Sequence, residues 1–201
     1  MELPIADLDA TAIYKLMVGS IQPRPIAWAC TRSEQGELNL APFSFFTLVS
    51  VNPPIVAFAP LCKPDGSEKD TILNLEEWPE FTLNIVGHAV VESMNRTSAP
   101  LARGDSEIEY AGLSMVPSLT VSPPRIEQAL IHFECRLRDL QRFGKEPMAG
   151  RLVLGDIVHV HVADELYDNG RILADKLDAV GRMAGNTYST TRDTFDIKRP
   201  D

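Results

Sequence analysis

The chain has 201 residues, of which 44% are apolar and 23% charged, the profile of an ordinary globular protein with enough length to bury a core. Its formal net charge of -9 argues against broad electrostatic binding to nucleic acid or anionic lipid and leaves room only for a local basic pocket that takes a small anion. No apolar run approaches the roughly 18 residues of a membrane span, and the opening MELPIADLDA lacks the basic and apolar regions of a signal peptide, so a soluble, cytoplasmic protein is expected. Cys30, Cys62 and Cys135 lack CxxC spacing, which indicates neither a disulfide framework nor a zinc knuckle. Cys30 and Cys135 lie in strand-like runs and read as small buried apolar residues.

In chain order, Leu8, Ala12 and Leu16 recur at helical spacing, which predicts an amphipathic helix over Asp7 to Val18 packed across a sheet. Pro23 and Pro25 hold Arg24 extended, because a residue before proline is pushed out of the α region. Ile26 to Thr31, Phe45 to Val51 and Ile55 to Ala59 read as strands rich in β-branched and aromatic residues. Ser33 to Glu37 is a polar turn with a glycine, suited to a hairpin. Between the first two strands, Pro42 interrupts otherwise strand-like sequence at Asn39 to Ser44; it removes one ladder donor, so a flat ligand is one candidate partner for the neighbouring backbone.

Further on, Ser67 followed by Asp70 resembles a capping box and predicts a helix that Trp78-Pro79 closes. A strand over Phe81 to Val86, a short helix over Ala89 to Asn95, a helical turn over Glu107 to Ala111 stopped by Gly112, and a connector over Ser118 to Arg125 follow. Ile131, Phe133, Cys135 and Leu137 alternate with His132, Glu134, Arg136 and Arg138, predicting a strand with one buried and one wet face. Gly144 to Gly150 turns the chain into a last long strand, Arg151 to Val162, and a short helix is expected near Leu173 to Leu177. About six or seven mainly consecutive strands and three or four short helices, without internal repeats, favour one domain over 1–201 built as an antiparallel barrel or sandwich.

Arg24, Lys69, Asp70 and Thr71 are the most informative polar group. A helix start with free N–H groups, a hydroxyl and an ammonium suits a phosphate monoester, and a solvated, capped helix end is the competing reading. His159 and His161 have metal-pair spacing on one strand face, but no third ligand is placed beside them, and two ordinary half-exposed histidines are the favoured reading. GxSxG, HExxH, Walker A and GxGxxG motifs are absent, so a nicotinamide cofactor does not bind through a Rossmann fingerprint.

These residues, in order, resemble the flavin reductase-like, FMN-binding split-barrel family. The motifs are Pro23-Arg24-Pro25-Ile26-Ala27, Asn39 to Phe46, Asn52-Pro53-Pro54, Lys69-Asp70-Thr71, Phe81 to Ile85, and Gly181-Arg182 with Tyr188. The resemblance implies a mainly β fold, an antiparallel split β-barrel with Greek-key topology and a few short flanking helices. It implies a homodimer with FMN near the interface. Asn39, Ala41, Pro42, Ser44 and Phe45 would run along the isoalloxazine; Lys69, Asp70, Thr71 and Arg24 would take the phosphate; and Arg182, Asn186 and Tyr188 would reach toward the flavin, from the same or the partner subunit. The implied activity is NAD(P)H-dependent flavin reduction, with NADH or NADPH giving hydride to the flavin N5. The alternative is an FMN-binding, flavoredoxin-like electron-transfer protein reduced by a protein partner. No catalytic side chain is required, and a monooxygenase or electron-transfer partner and small-molecule substrates are expected.

Overall fold

A computed structural model describes residues 1–200. After a 3-10 turn at Ile5–Asp7, α1 (Ala10–Ser20) leads to β1 (Ala27–Arg32), β2 (Leu38–Phe43), β3 (Phe46–Val51), β4 (Pro54–Phe58), α2 (Asp70–Glu77) and β5 (Glu80–Ile85). Then come α3 (Val91–Arg96), α4 (Glu107–Ala111), the two-residue strands β6 (Met115–Val116) and β7 (Arg125–Ile126), and the long hairpin of β8 (Ile131–Arg142) and β9 (Arg151–Val162). The tail carries β10 (Tyr167–Asp168), β11 (Arg171–Ile172), α5 (Ala174–Leu177), β12 (Val180–Arg182) and β13 (Tyr188–Thr190).

The main sheet has seven strands in the order β2-β1-β5-β8-β9-β4-β3, every pair antiparallel. Its two edges, β2 and β3, are joined through Ser44 and Phe45 alone. That connection spans at most about 11 Å, whereas the edges of a flat seven-stranded sheet lie about 29 Å apart. The sheet therefore curls until its edges approach, and the split falls between β2 and β3. The β1–β5 and β9–β4 neighbours, distant in sequence, supply the Greek-key connections.

β1 is buried on both faces and divides the core. Ala27 and Ala29 face the barrel interior with Phe43, Phe58, Phe81 and Val153, while Trp28 and Cys30 face outward into a second cluster with Leu40, Met94 and Ile126. Cys30 and Cys135 are fully buried free thiols, and burial followed by the charge of Glu107 pushes the Cys30 thiol up to about 12. Phe81 leaves no space above β9: a Cβ on Gly155 would lie 2.3 Å from its Cζ. Gly155→Ala is accordingly expected to destabilise the protein by about 1–3 kcal/mol through overpacking, read as a lower urea midpoint with an unchanged slope.

Four expectations change. Asn39 to Ser44 is not a broken strand: Leu38–Phe43 is a full strand, with Pro42 opposite Trp28, tolerated because β2 is an edge strand. Ser67 does not cap α2; its hydroxyl and N–H both donate to Asp65 Oδ1, and Lys69 occupies the N-cap position. α1 begins later than expected, capped by Asp9 accepting from the Ala12 N–H, and does not pack across the sheet, since Val18 is its one buried residue. The polar face of β8 is wet only in its second half, at the exposed Arg136 and Arg138. His132 and Glu134 are buried because the segment before β7 folds over them, its Leu119 and Thr120 N–H groups donating to Glu134 at 2.7 and 2.6 Å.

Candidate functional site

β2 and the start of α2 define one end of a cavity of about 500 Å³, lined by Asn39, Ala41, Pro42, Lys69, Asp70 and Thr71 among others. They meet because the β1–β2 hairpin carries β2 against α2, where Asn39 Nδ2 donates to Thr71 Oγ1 at 2.9 Å. The bond fixes the Thr71 oxygen as an acceptor and leaves its own hydroxyl proton free to donate. No side chain caps α2, so its first N–H groups retain the donor capacity that favours anions. Lys69 is half-buried, and desolvation, then the charge of Lys63, hold its pKa below the usual lysine value. Its neighbour Asp70 is paired elsewhere, with Lys63 Nζ at 3.6 Å and Arg103 Nη1 at 3.5 Å. A partly desolvated ammonium, a hydroxyl and an uncapped helix start form a donor set suited to a phosphate group.

Beyond Pro42 and Phe43 the cavity opens into a hollow of about 300 Å³ that Ser44, Phe45, Leu61 and Tyr14 line, with Lys63 and Lys69 shared between the two spaces. Its lining sets the rings of Tyr14, Pro42, Phe43 and Phe45 beside the polar ends of Ser44, Lys63 and Lys69, a mixture suited to a ring with polar edges.

Arg24 has a different place from the one expected. Its guanidinium, 5% exposed, donates to the carbonyls of Val18 and Ile21 at 2.7 Å each and of Met183 at 3.0 Å, and Nε donates to Ser44 Oγ at 3.3 Å. These partners commit Arg24 to tying the end of α1 and the tail to the β2–β3 junction rather than to an anion. Arg182, Asn186 and Tyr188 stay outside the cavity. Arg182 lies over the Tyr188 ring at 4.5 Å and Tyr188 donates to Asn95 Oδ1 at 3.0 Å, while Asn186 is exposed.

Sequence reasoning did not single out Lys63, Arg103 or Glu107. Lys63, Thr97 to Leu101 and Glu107 line the cavity, and Arg103 joins its Asp70 side. Glu107 meets an outward-facing donor of the edge strand, accepting from the Leu40 N–H at 3.1 Å. Burial raises its pKa against that hydrogen bond, and the charges of Asp70 and Asp105 add to the rise. The acid at the start of the α4 turn was the available signal, but nothing in the sequence places it beside Leu40. His159 and His161 have ring centroids 4.5 Å apart, and His161 Nε2 lies 2.6 Å from Glu134 Oε1. Among the described residues no group of three metal-ligating side chains forms.

An antiparallel split barrel with a phosphate-suited pocket beside its edge strand places the chain in a class of mainly β proteins. Within that class the chain belongs to the flavin reductase-like family, whose domain model, Flavin reductase like domain, matches residues 19–180. It is similar to the crystal structure of nitrilotriacetate monooxygenase component B from Bacillus cereus, with 36% identity, a TM-score of 0.94 and 98% of each chain covered. It is similar also to 2-nitrobenzoate 2-nitroreductase from Pseudomonas fluorescens, with 31% identity, a TM-score of 0.90, and 100% of this chain and 96% of that one covered. A Shewanella frigidimarina protein with a split barrel domain, 20% identical, shares the fold at a TM-score of 0.84 with 100% of both chains covered.

Proposed function

We propose that the chain is one FMN-binding domain acting as an NAD(P)H-dependent flavin reductase. The observation that carries this reading is the pair of adjoining hollows, sharing Pro42, Phe43, Lys63 and Lys69, that reach from the uncapped α2 start to Ser44 and Phe45, in a chain of the flavin reductase-like family. In it, Lys69, the Thr71 hydroxyl and the first α2 N–H groups hold the phosphate, with Asp70 keeping Lys63 and Arg103 close. Asn39, Ala41, Pro42, Ser44 and Phe45 line the ring, and Arg24 acts indirectly by fixing Ser44. The flavin, when bound, supplies the redox chemistry, taking hydride from NADH or NADPH at N5. The protein's part is to bind, orient and shield, with no catalytic side chain.

A homodimer completes the reading. Leu48, Val49 and Val51 on β3 and Val160 on β9 are 49–78% exposed, a concentration of apolar surface suited to a second copy. Across such an interface Arg182, Asn186 and Tyr188 of one chain reach the flavin of the other. The likeness to a monooxygenase component B supports a monooxygenase as the acceptor of reduced flavin.

A second reading has its own support. An apolar hollow of about 350 Å³, lined by Tyr14, Met17, Phe45, Phe143 and Met148, continues the ring-side space, and a structural neighbour is named as a nitroreductase. In that reading the flavin passes electrons to a small aromatic compound bound there. Both are tested by following oxidation of NADH and NADPH by the purified protein with added FMN, then with FMN and a nitroaromatic. Turnover with FMN alone supports the reductase; turnover only with the nitroaromatic supports the second reading. Tight FMN binding without any nicotinamide oxidation replaces both with an electron-transfer protein reduced by a protein partner.

A further inference from the structure

Lys63 and Lys69, which line both hollows, sit on one short segment between β4 and α2, and both ends of that segment are anchored at the start of β9. At the near end, Leu61 bridges Gly150 and the Cys62 N–H donates to the Ala149 carbonyl at 2.9 Å. The segment then closes on itself, the Lys63 N–H donating to the Ser67 carbonyl at 2.9 Å. At the far end stands Glu68, the residue before Lys69. Its two carboxylate oxygens accept from Arg151 Nε at 2.8 and 2.9 Å, while Arg151 Nη1 donates to the carbonyls of Gly144 and Gly150 at 3.0 Å each. The Arg151 side chain is 3% exposed. A guanidinium so far withdrawn from water has no solvent to replace a lost carboxylate, so Glu68 is held in place. Arg142 reinforces the hold, reaching Glu68 at 3.4 Å and also Glu76 in the last turn of α2. Neither Arg151 nor Glu68 lines either hollow.

We propose that Arg151, by holding Glu68, is a positioning residue that keeps the Lys69 ammonium directed at the phosphate. This rests on the flavin reading above. Lys69 is half-buried, so its charged form loses hydration where it stands. A loosened backbone would let its long aliphatic stem swing the ammonium out into water. Direct electrostatics predicts the opposite outcome for the same substitution: Glu68 carries a negative charge one residue from Lys69, and its removal alone favours an anionic phosphate. The sign of the effect therefore separates positioning from charge.

The test is a flavin-fluorescence titration of the full-length protein, freed of flavin, with FMN and with riboflavin, which has no phosphate. Glu68→Ala is expected to weaken FMN binding about three- to tenfold and to leave riboflavin within about twofold of wild type, because misplacing Lys69 forfeits part of a charge-assisted hydrogen bond. Arg151→Lys, which keeps the buried charge without the guanidinium fork, is expected to shift FMN in the same direction. In a Lys69→Ala background the Glu68→Ala effect on FMN is expected to fall below about twofold, since no ammonium is left to position. FMN binding that is unchanged or tighter in Glu68→Ala, or a Glu68 effect that persists in full without Lys69, overturns the inference and leaves the flavin reading standing. Should Glu68→Ala lose the wild-type circular dichroism spectrum, Glu68→Gln, which keeps an acceptor for Arg151, is judged by the same criterion. Wild type that binds neither flavin overturns the flavin reading itself, and this inference with it.

Discussion

Lys69→Ala is expected to weaken FMN binding by about 10- to 100-fold while leaving riboflavin affinity within about twofold of wild type. The magnitude is that of one charge-assisted hydrogen bond, about 1.5–3 kcal/mol. The asymmetry follows from position: Lys69 sits at the uncapped start of α2, where the phosphate is placed, and riboflavin has no phosphate. Desolvation already holds the Lys69 pKa below its usual value. FMN affinity should therefore decline on the alkaline side before an exposed lysine titrates, and this decline should vanish in the variant. Parallel fluorescence titrations with FMN and riboflavin across that pH range check both statements. An FMN affinity unchanged by the substitution refutes the phosphate assignment.

The second large effect concerns stability. Glu134 is wholly buried, yet its carboxyl is not left to the burial that would raise its pKa. Hydrogen bonds from Thr120 Oγ1, the Leu119 N–H, His161 Nε2 and the Thr120 N–H outweigh burial and bring it down to about 2, from an ordinary 4.5. A depressed carboxyl pKa stabilises the fold above the unfolded value. Its contribution, about 3 kcal/mol, is fully present at neutral pH, is lost as pH falls from near 4.5 toward 2, and is gone below that. Glu134→Gln should lower the urea-unfolding free energy by about this much at pH 7, and the difference from wild type should shrink through the acid window. A difference that stays constant down to pH 2 contradicts the assignment.

Where the local pattern and the tertiary environment agreed, the chain could be read closely. The turn at Glu107–Ala111 with Gly112 as its left-handed stop, the β8–β9 hairpin, and the burial of Cys30 and Cys135 all follow from local chemistry. The Lys69 helix start was legible because its donors are adjacent in the chain. The failures are of one physical kind. Pro42 reads as a strand breaker unless β2 is known to be an edge strand, and edge status is a property of the whole sheet. The alternation over Ile131 to Arg138 predicts a wet face that holds at Arg136 and Arg138 and fails at His132 and Glu134, because the segment around Thr120 returns across Glu134. Arg24 looks like a free extended cation until the carbonyls of Val18, Ile21 and Met183 converge on it, the last from 159 positions away. Arg103 and Glu107 matter to the cavity only because the covering segment lands on α2 and β2, a long-range placement without local signature.

The central claim, that a flavin bound between Lys69 and Phe45 takes hydride from a nicotinamide, is tested most directly by loading the protein with FMN under anaerobic conditions and adding NADH or NADPH while recording the visible flavin band. The account predicts that the band bleaches with at least one nucleotide, in proportion to bound FMN, and that the bleaching is lost in step with FMN binding in Lys69→Ala. A band that neither nucleotide changes, in protein that holds FMN tightly, contradicts it.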